Sequence, residues 1–593
     1  MEKLSNDTFN RANGFRLKYF FLVFLLLNFF ALVAQPFLIP QPQKIELTSG
    51  YFPFSASTTF DLSNNEENQT LELLNSKIKL LFGFEINGSK PKFSENFISF
   101  QLNNELQPEE YKIKIAEKSI SILYGKKAAQ HAISTLVQLF YFNKNSTGAS
   151  KIPCMSVEDV PVFKWRGMHL DVSRHFFPVT FIKKYIDILS LYKMNSFHWH
   201  LTDDQGWRIE IKKYPKLTSI GAWRKGSMLG RYRDHNIDTV SYGGFYTQDE
   251  IREIVSYAAA RNINIVPEIE MPGHSLAALS AYPEFACIDS VFEAAKTWGV
   301  FDDVYCTKEK TFVFMEEILE EVCTLFPSEF IHIGGDEVPK TRWKTCPNCQ
   351  NRIKSEGLKN EEELQSYFIR RIEKFINSKG KKIIGWDEIL EGGLAPNAAV
   401  MSWRGTEGGI AAAKQKHNVV MSPGSHCYFD HYQSTPEFEP IAIGGFTPVQ
   451  KVYAYDPVPT ELSAEEKKFI LGAQGNVWTE YINTASDVER MAVPRVIALS
   501  EVLWTPKQNC DWENFSNRLH EHQQFLKIMG INSSSSIYDV LYKSIPSDNN
   551  DYAIELQSQK SGKIYYTING EIINEFNARA SNLRCKRVKR SGN

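Results

Sequence analysis

The stretch Phe330-Ile-His-Ile-Gly-Gly-Asp-Glu337 joins a short apolar run to two glycines and two adjacent carboxylates. The apolar residues have strand character, and glycine lets a backbone turn sharply and approach a ligand closely. Carboxylates at the end of a strand suit acid–base chemistry. A bare Asp-Glu pair is often only a solvated turn, so the surrounding pattern has to decide between a turn and a reactive site.

The same strand-then-polar pattern recurs on both sides of this stretch. From about residue 160, short apolar runs alternate with amphipathic segments, which is typical of βα units and a parallel sheet. The eight candidate strands are Gly167–Asp171, Ser196–Leu201, Asn264–Glu268, Phe330–Gly334, Lys382–Trp386, Val400–Trp403, Val419–Ser422 and Leu471–Gly475. Candidate helices between them include Thr180–Tyr192, Thr247–Arg261, Phe312–Leu325 and Glu362–Asn377. Eight repeats over roughly 345 residues predict an α/β fold, a (β/α)8 TIM barrel with insertions.

Polar or aromatic side chains follow every one of these predicted strands. In chain order they are Asp171 and Arg174; His200, Asp203, Asp204 and Trp207; Glu268, Glu270 and His274; Asp336 and Glu337; Trp386, Asp387 and Glu388; Trp403 and Arg404; Tyr428 and Asp430; Trp478 and Glu480. Barrel enzymes build their active sites at the carboxyl ends of the strands. A single residue of this kind is often structural, but eight strand ends in register predict a shared pocket.

The barrel is flanked by two smaller regions. Residues 35–158 contain two half-buried strands of period two, Tyr111–Ile115 and Ser119–Leu123, and a helical segment, Ala128–Phe140, which together predict a small α+β domain. The barrel is assigned to residues 159–505. Residues 506–593 are predicted to hold the helical end of the barrel and a short β-rich C-terminal segment, with strands at Tyr552–Leu556 and Lys563–Thr567 and a hairpin turn at Asn569-Gly570.

Residues 1–34 have the pattern of an export signal. Arg11, Arg16 and Lys18 precede an apolar stretch, Tyr19–Val33, and small residues follow at its end. The stretch is short for a membrane span, which favours a cleaved signal peptide over a retained anchor. We therefore expect an exported protein, in the periplasm, on the cell surface or secreted, with no stable membrane span after cleavage.

Composition excludes several classes of partner. The 593 residues contain 67 Lys and Arg against 69 Asp and Glu, a formal charge of −2, so no nucleic-acid partner is expected. Apolar residues make up 43% of the chain, as in ordinary globular proteins. No metal or organic cofactor is expected, because no His and Cys cluster has ligand spacing and no glycine-rich phosphate loop occurs.

The nine cysteines are too few for a disulfide scaffold. Cys287 and Cys306 flank one loop-like segment and are predicted to form a disulfide if the protein is exported. Cys346-Pro-Asn-Cys349 has the spacing of a redox motif or half of a zinc site. Because no second pair at zinc spacing follows, we interpret this motif as a local loop clip and expect no metal.

Longer motifs make the resemblance to a known family specific. They are Trp165-Arg-Gly-Met-His-Leu-Asp-Val-Ser-Arg174, Phe197-His-Trp-His-Leu-Thr-Asp-Asp-Gln-Gly-Trp-Arg208, Pro267-Glu-Ile-Glu-Met-Pro-Gly-His274, His332-Ile-Gly-Gly-Asp-Glu337, Gly385-Trp-Asp-Glu388 and Gly475-Asn-Val-Trp-Thr-Glu480. Over about residues 35–505 the chain resembles glycoside hydrolase family 20, the β-N-acetylhexosaminidases. The resemblance implies an exo-acting hydrolase of terminal N-acetylglucosamine or N-acetylgalactosamine, acting on oligosaccharides or glycoconjugates.

The resemblance also implies roles for individual residues. Glu337 is implied as the general acid and Asp336 as the residue that orients the sugar's 2-acetamido group, which acts as the nucleophile. Arg174, Glu480 and Asp430 are implied to bind sugar hydroxyls, and Tyr428 to donate to the acetamido oxygen. Three tryptophans are implied to wall the acetamido methyl and the sugar face: Trp386, Trp403 and Trp478. Asp203 and His274 complete the implied substrate-binding set as supports for the catalytic carboxylates.

The adjacency of Asp336 and Glu337 bears on the mechanism independently. Retaining glycosidases normally use two carboxylates on opposite sides of the bond. Successive side chains of an extended chain point in opposite directions, so neighbours are poorly placed to form that opposed pair. A substrate-assisted mechanism through an oxazolinium intermediate needs no second carboxylate nucleophile. A nearby carboxylate and partial burial are expected to raise the pKa of Glu337, as a general acid requires.

Alternatives remain open at this point. Within the family, the specificity could instead be that of a lacto-N-biosidase or a 6-sulfo-N-acetylglucosamine hydrolase. A non-catalytic carbohydrate-binding protein on the same barrel is a different class, and the intact acid, orienting carboxylate and tyrosine argue against it. A thiol oxidoreductase working through Cys346 and Cys349 would need a thioredoxin-like unit, which the pattern does not indicate.

Overall fold

A seven-stranded sheet with two helices precedes the barrel. The computed structural model describes residues 36–62, 67–90, 95–146, 148–546, 552–567, 579–581 and 586–588, so the predicted signal segment 1–34 lies outside the described residues. The elements are β1 (Lys44–Phe54), β2 (Thr59–Asp61), α1 (Asn68–Phe82), β3 (Asn87–Ser89), β4 (Phe97–Leu102), β5 (Tyr111–Ile115), β6 (Ser119–Tyr124), α2 (Ala129–Phe142) and β7 (Ser150–Asp159). The sheet order is β1-β7-β5-β6-β4-β2-β3. Both predicted strands and the predicted helix of this domain are confirmed.

Eight parallel strands then close into a barrel. They are β8 (Trp165–Asp171), β9 (Ser196–His200), β10 (Asn264–Glu268), β11 (Phe330–His332), β12 (Lys382–Trp386), β13 (Ala399–Ser402), β14 (Val419–Met421) and β15 (Ile470–Gly475). Nearly all of their residues are buried, as expected for strands covered by side chains on one face and helices on the other. The predicted TIM barrel is confirmed, and each strand end lies within two residues of its predicted position.

The helices that cover the barrel have the predicted amphipathic pattern. Those of five or more residues are α3 (Val179–Leu191), α4 (Gln248–Ala259), α5 (Leu276–Ala281), α6 (Glu309–Leu325), α7 (Thr341–Thr345), α8 (Pro347–Glu356), α9 (Glu361–Ser378), α10 (Glu407–Lys414), α11 (Val449–Tyr453), α12 (Ala485–Ala492) and α13 (Arg495–Trp504). In α9, Phe368, Ile369, Ile372 and Ile376 are buried, a spacing that lines one helical face. A reciprocal capping box between Thr247 and Glu250 fixes the start of α4.

The carboxyl ends of four neighbouring strands meet at one level. Asp171 pairs in register with His200, His200 with Glu268, and Glu268 with His332, and each of these residues ends its strand. Because the strands are parallel, the residues that follow them emerge on the same side of the barrel. This register brings the predicted site motifs to one face.

Long connections rise above that face. The connections after β9, β10 and β14 span residues 201–247, 269–308 and 422–469. The first contains two small antiparallel strand pairs, Trp223–Arg224 with Tyr242–Gly243 and Met228–Leu229 with Asn236–Ile237. These insertions give the barrel mouth the depth that a pocket needs.

The C-terminal region is a helix followed by short strands. They are α14 (Trp512–Ile528), β16 (Val540–Pro546), β17 (Tyr552–Ser558), β18 (Ile564–Tyr566), β19 (Arg579–Ser581) and β20 (Lys586–Val588). The sheet order is β16-β17-β20, and β18 pairs with β19, so the predicted β-rich segment is confirmed. The predicted turn at Asn569-Gly570 lies outside the described residues. Within the described part of the chain, no helix has both the length and the apolar character of a membrane span.

Candidate active site

The predicted site residues come together in one pocket at the carboxyl ends of the barrel strands. The pocket has a volume of about 560 Å³. All of the predicted site residues except Asp203 line it, and the insertions add further lining residues at its rim. The lining residues are Arg174, Tyr232, His274, Trp298, Gly299, Val300, Asp336, Glu337, Trp386, Trp403, Tyr428, Asp430, His431, Ile443, Gly444, Gly445, Trp478, Glu480 and Tyr481.

The backbone that presents Asp336 and Glu337 requires its two glycines. Gly334 and Gly335 have φ values of 64° and 90°, in the left-handed region that favours glycine. A Cβ on Gly334 would lie 1.7 Å from Glu270 Oε2, and one on Gly335 would lie 2.6 Å from a methyl of Ile389. The sharp turn after β11 is therefore enforced by both conformation and space, which favours a built site over a solvated turn.

Glu337 itself adopts a strained backbone conformation. Its φ is 47°, and that of His274 is 46°, a region that non-glycine residues rarely occupy. Such strain persists where the surroundings hold it and is common at functional sites. The left-handed turn also breaks the alternation expected of an extended chain, so the two neighbouring carboxylates approach the same partner.

That shared partner is the imidazole of His274. Its Nε2 lies 3.6 Å from Asp336 Oδ2 and 3.6 Å from Glu337 Oε2, while its Nδ1 lies 3.0 Å from Asp204 Oδ2 and 3.3 Å from Asp203 Oδ1. Burial opposes protonation of His274, but the surrounding carboxylates outweigh it and raise the pKa of the imidazole well above its ordinary value. His274 is therefore a cation that faces both predicted catalytic carboxylates.

The two neighbouring carboxylates have opposite pKa shifts. Burial raises the pKa of Asp336 to about 6. The hydrogen bond with His274 lowers the pKa of Glu337, whose side chain is 41% exposed. The prediction that Glu337 would have a raised pKa is wrong for the open pocket. The reason is that the cationic His274 outweighs partial burial and the neighbouring carboxylate.

A second cation, Arg174, also lies among carboxylates. Its guanidinium NH2 is 2.9 Å from Asp203 Oδ2, and its NH1 is 3.3 Å from Asp171 Oδ2 and 4.0 Å from Glu480 Oε1. Its Nε donates to Gln205 Oε1 at 2.8 Å. These contacts fix the guanidinium plane at the pocket surface. We call Arg174, His274, Asp336 and Glu337 the charged wall.

Asp203 belongs behind this wall and not in the pocket lining. It is buried, and its oxygens contact Arg174, His274 and His200, the last with 2.9 Å between Oδ2 and Nε2. Arg174 holds the pKa of the Asp203 carboxyl well below its ordinary value against the opposing effect of burial. Its oxygens contact the two cations that it positions, which is compatible with the predicted role of Asp203 as a support for the catalytic carboxylates.

Another part of the pocket lining is aromatic. We call Trp386, Trp403, Tyr428 and Trp478 the aromatic wall. The rings of Trp403 and Tyr428 are 6.1 Å apart and nearly parallel, at 21°, and those of Trp386 and Trp478 are 5.7 Å apart. Such surfaces suit the apolar face of a sugar and a small methyl group.

Buried carboxylates behind the aromatic wall orient two of its indoles. Trp386 Nε1 donates to Glu268 Oε1 at 2.8 Å, and Trp403 Nε1 donates to Glu388 Oε2 at 2.9 Å. Burial raises the pKa of Glu388 to about 8, and the charge of Asp336 adds to the shift. The aromatic wall is therefore held by directed hydrogen bonds and not by packing alone.

Comparison with known proteins identifies the family to which this barrel and its pocket belong. The model of the glycosyl hydrolase family 20 catalytic domain matches residues 163–507, and that of domain 2 of the same family matches residues 35–160. The chain belongs to glycosyl hydrolase family 20. Its barrel is the family's catalytic domain, so the resemblance inferred from the motifs is confirmed.

Individual family 20 proteins are similar to this chain in sequence and in structure. A β-hexosaminidase of Porphyromonas gingivalis is 45% identical over 507 residues, which cover 84% of this chain and 64% of that protein. The exo β-N-acetylglucosaminidase of Vibrio harveyi, solved with N-acetylglucosamine, matches with a TM-score of 0.74 at 33% identity, over 84% of this chain and 78% of that one. A β-N-acetylhexosaminidase of Bacteroides fragilis matches with a TM-score of 0.72 at 30% identity, over 84% and 96% of the two chains.

The sequence placed His200 and Glu268 among the strand-end residues of a shared pocket, but they belong to a buried polar layer that does not line the family 20 pocket. Glu268 is fully buried, with its oxygens 2.5 Å from His200 Nδ1, 2.8 Å from His332 Nδ1 and 3.0 Å from His198 Nε2. Burial opposes the protonation of His200, but Glu268 outweighs it and raises the pKa of His200 to about 10. The available signal was the alternation of His198 and His200 on β9, which places both side chains on one face of the strand.

The rim of the pocket was also missed. Tyr232, Trp298, Ile443 and Tyr481 come from connections between strands and helices, and no strand-end pattern marks them. Nothing local in those segments distinguishes rim residues from other exposed aromatic or aliphatic residues.

The cysteines lie apart from this pocket. Cys287 and Cys306 are free thiols in the structure, so the predicted disulfide between them is not formed, and Cys346 and Cys349 are free as well. The interpretation of Cys346 and Cys349 as a local loop clip is also wrong, because their sulfur atoms meet those of Cys287 and Cys306 from another connection in one cluster.

Proposed function

We propose that the chain is an exo-acting β-N-acetylhexosaminidase that retains the configuration of the anomeric carbon by using the substrate's own acetamido group. One observation carries the proposal: Asp336 and Glu337 approach the same His274 nitrogen, at 3.6 Å each, in a pocket that is also lined by the aromatic wall. Two carboxylates gathered at one side of a pocket do not flank a glycosidic bond. They suit a division into one acid and one group that holds the nucleophile.

Asp336 is suited to hold the acetamido group. It lines the pocket, and its Oδ1 is buried with no hydrogen-bond partner among the described residues. An unpaired buried acceptor is costly, so a ligand N–H placed there is favoured. When ionised, Asp336 would orient the amide N–H and stabilise the positive charge of an oxazolinium ion.

Glu337 is suited to act as the acid. Its partly exposed position leaves room for a leaving group. A bound sugar excludes water from the carboxyl, which favours the protonated form. In the first step the acetamido oxygen bonds to the anomeric carbon, the bond from that carbon to the leaving oxygen breaks, and Glu337 gives its proton to that oxygen.

The second step returns the acid to its starting state. Water attacks the anomeric carbon of the oxazolinium ion, and the bond between that carbon and the acetamido oxygen breaks. The Glu337 carboxylate takes a proton from the attacking water. Two successive inversions at the same carbon give net retention. His274 stays protonated throughout and holds both carboxylates in position.

The deep end of the pocket is suited to a terminal sugar. Arg174 offers a planar guanidinium to paired hydroxyl oxygens, and Glu480 lies 4.0 Å from it as a hydroxyl acceptor. Burial, with the charge of Glu480 adding to it, raises the pKa of Asp430 well above its ordinary value, so Asp430 can donate to a sugar oxygen as well as accept. We assign the aromatic wall to the acetamido methyl and to the face of the ring, with Tyr428 donating to the acetamido oxygen.

Substrate class and location complete the proposal. Among the described residues that line the pocket, Arg174 is the only lysine or arginine, and carboxylates surround it, so a plain N-acetylhexosamine suits the site better than a sulfated one. We further propose, from the sequence of residues 1–34, that the enzyme is exported and acts on terminal N-acetylhexosamines of oligosaccharides or glycoconjugates outside the cytoplasm.

The test compares two aryl glycosides that differ only in the 2-substituent. The 4-nitrophenyl β-N-acetylglucosaminide should be hydrolysed rapidly and the β-glucoside hardly at all, since the glucoside lacks the nucleophile. NMR of the first-formed sugar should show the β-anomer. Similar rates on both substrates, or an α-anomer formed first, would refute the mechanism, and no hydrolysis of either would favour a non-catalytic binding protein.

A matched control separates the acid from a general loss of charge. Glu329 lies just before β11, at the end opposite Glu337, and pairs with Lys382 at the surface. Glu329→Gln should keep wild-type activity, whereas Glu337→Gln should not.

A further inference from the structure

Four cysteines from two separate connections of the barrel converge on one point. The Sγ atoms of Cys287, Cys306, Cys346 and Cys349 all lie within 4.8 Å of one another. Cys349 is 3.7 Å from Cys287 and 3.7 Å from Cys306, and Cys306 is 3.6 Å from Cys346. The sulfur atoms of Cys306 and Cys349 thus each have two neighbouring sulfur atoms at nearly equal distances. This arrangement indicates one shared centre and not two separate pairs.

The fold itself brings these cysteines together. Ala286 and Tyr305 form an antiparallel bridge within the connection after β10, and this bridge brings together the two ends of the loop that carry Cys287 and Cys306. Cys346 is the residue before α8, and Cys349 lies in the first turn of that helix, within the connection after β11. The cluster therefore joins the connection that carries His274 to the one that carries Asp336 and Glu337.

The spacing of the sulfur atoms fits a tetrahedral metal. Zinc–thiolate bonds are about 2.3 Å long, so the edges of a regular ZnS4 tetrahedron are about 3.8 Å. The three separations of 3.6, 3.7 and 3.7 Å lie close to that edge length. Four protein ligands with no open position are typical of structural zinc, while catalytic zinc keeps a position for water.

The surroundings favour thiolates. Thr307 lies beside Cys349, and its buried hydroxyl has no hydrogen-bond partner among the described residues, so it is available to a thiolate. The amino end of α8, a ten-residue helix, presents its positive end to Cys346 and Cys349. Cys306, Cys346 and Cys349 are buried in an apolar cluster with Val304, Trp343 and Leu364, which excludes water from such a centre.

We propose that Cys287, Cys306, Cys346 and Cys349 bind one Zn²⁺ as four thiolates, in a structural site distinct from the active-site pocket. Binding replaces four S–H bonds by four Zn–S bonds and releases four protons to solvent, with no change in oxidation state. The metal would clip together the two connections that position His274 and the Asp336-Glu337 pair. This proposal differs from the sequence prediction, which paired the cysteines by their spacing along the chain and expected no metal.

The first experiment measures metal in the wild-type chain. The full-length protein is purified without chelator or reductant and its metal content is determined by mass spectrometry. About one zinc ion per chain is expected. The zinc should resist gel filtration in buffer and be released when a mercurial reagent modifies the thiols. Alkylation in denaturant with chelator should then find all four cysteines as free thiols.

Variants locate the metal. Cys349→Ser should lower the zinc content by about fivefold or more, since a central ligand is lost. Cys510→Ser is the matched control, because Cys510 is also partly buried but lies outside the four-cysteine cluster, where its thiol faces the backbone carbonyls of Thr505 and Pro506. It should keep full zinc content. If Cys349→Ser does not fold, cobalt exchanged into the wild type decides instead, since tetrahedral cobalt–thiolate has a distinctive visible spectrum.

Three outcomes would overturn the proposal. Peptide masses that show two disulfides among the four cysteines would assign the cluster to covalent bridges. Free thiols with no stoichiometric zinc, and no cobalt–thiolate spectrum on reconstitution, would make it an apolar packing cluster. Zinc retained at wild-type level in folded Cys349→Ser would place the metal elsewhere. None of these outcomes depends on the hexosaminidase activity proposed above.

Discussion

The charged wall and the aromatic wall of the pocket are built by opposite means. In the charged wall, acids and cations that line the pocket contact one another and shift each other's pKa values, as His274 does for Glu337. In the aromatic wall, the residues that line the pocket are neutral, and the acids that hold them, Glu268 and Glu388, accept indole hydrogen bonds from behind. The position of a carboxylate relative to the wall therefore separates acids that can react from acids that only orient.

This difference makes the same substitution informative at several positions. Glu→Gln or Asp→Asn keeps the size of the side chain and removes its charge and its acidity. In the charged wall the change should remove chemistry. Behind the aromatic wall the change should leave a hydrogen-bond acceptor for the indole N–H in place.

The largest effect is expected for Glu337→Gln on a substrate with a poor leaving group. A sugar alkoxide needs a proton as it leaves, whereas a nitrophenolate does not. The rate of the first step should therefore fall roughly 10²–10⁴-fold for the disaccharide of N-acetylglucosamine and much less for the nitrophenyl glycoside. Pre-steady-state kinetics on both substrates measures this difference. An equal loss on both substrates would contradict the role of Glu337 as the acid.

Asp336→Asn should give the complementary pattern. Without the negative charge, the acetamido group loses its orientation and the oxazolinium ion loses its stabilisation, whatever the leaving group. We expect a loss of roughly 10²–10³-fold in the first step on both substrates. Leaving-group dependence is the measurement. A strong dependence for Asp336→Asn together with none for Glu337→Gln would show that the two roles are reversed.

The fold and most of the charged wall were predictable because their signals are local. Each barrel strand is a short apolar run closed by polar residues, and the parallel register carries those ends to one face. Asp336, Glu337, Arg174 and His274 could therefore be placed in a common pocket from the sequence. The glycines at 334 and 335 marked the turn for a steric reason that the structure confirms.

The features that the sequence did not predict depend on contacts between segments that are distant along the chain. The pKa order of Asp336 and Glu337 follows from the burial of Asp336 and from the hydrogen bond between Glu337 and His274, which arrives from the connection after β10 in a left-handed conformation. The position of Asp203 behind the pocket lining follows from its contacts with Arg174 and His274, which come from other segments of the chain. The cysteine cluster brings together residues as far apart in sequence as Cys287 and Cys349, and the spacing of cysteines along the chain does not predict such a contact.

The pH dependence of kcat/KM tests the charged wall without substitution. Asp336 and Glu337 form one coupled pair, so the profile reports the macroscopic pKa values of that pair. Above about pH 6, the raised pKa of Asp336, the pair loses its last proton and no acid remains. Below the lowered pKa of Glu337 both groups are protonated and no orienting charge remains.

Activity on the disaccharide should therefore be greatest on the acidic side and fall as the pH rises through about 6. The fall should approach tenfold per pH unit well above pH 6 and amount to about fiftyfold between pH 6 and pH 8, because one proton is lost. Initial rates at low substrate concentration give the profile. The nitrophenyl glycoside, which needs less acid assistance, should fall less steeply over the same range. A flat profile for the disaccharide between pH 6 and pH 8 would contradict the shared-proton account.

A smaller effect is expected from the aromatic wall. Trp403→Phe keeps an aromatic face but removes the N–H that donates to Glu388. Leaving that buried acceptor unpaired and the ring free to turn should raise KM for the N-acetylglucosaminide roughly tenfold. Trp512→Phe is the matched control, because Trp512 Nε1 donates to the Gln559 carbonyl, outside the pocket lining. Unchanged kinetics in Trp403→Phe would show that ring area alone, without the hydrogen bond, defines this wall.

The smallest effect is expected for Glu388→Gln, the counterpart of Glu337→Gln in the other wall. Burial raises the pKa of Glu388 to about 8, so at the acidic pH of greatest activity this side chain is already neutral. Glutamine keeps an oxygen that can accept from Trp403 Nε1 and carries the same charge as the protonated acid. We therefore expect kcat/KM to change by less than about threefold at pH 6, within the range of one retained hydrogen bond. The wild type and the variant should diverge only as the pH rises through about 8, where Glu388 ionises and glutamine cannot. A loss of tenfold or more at pH 6 would mean that Glu388 acts as a charge, and the separation between reacting and orienting acids would fail at this position.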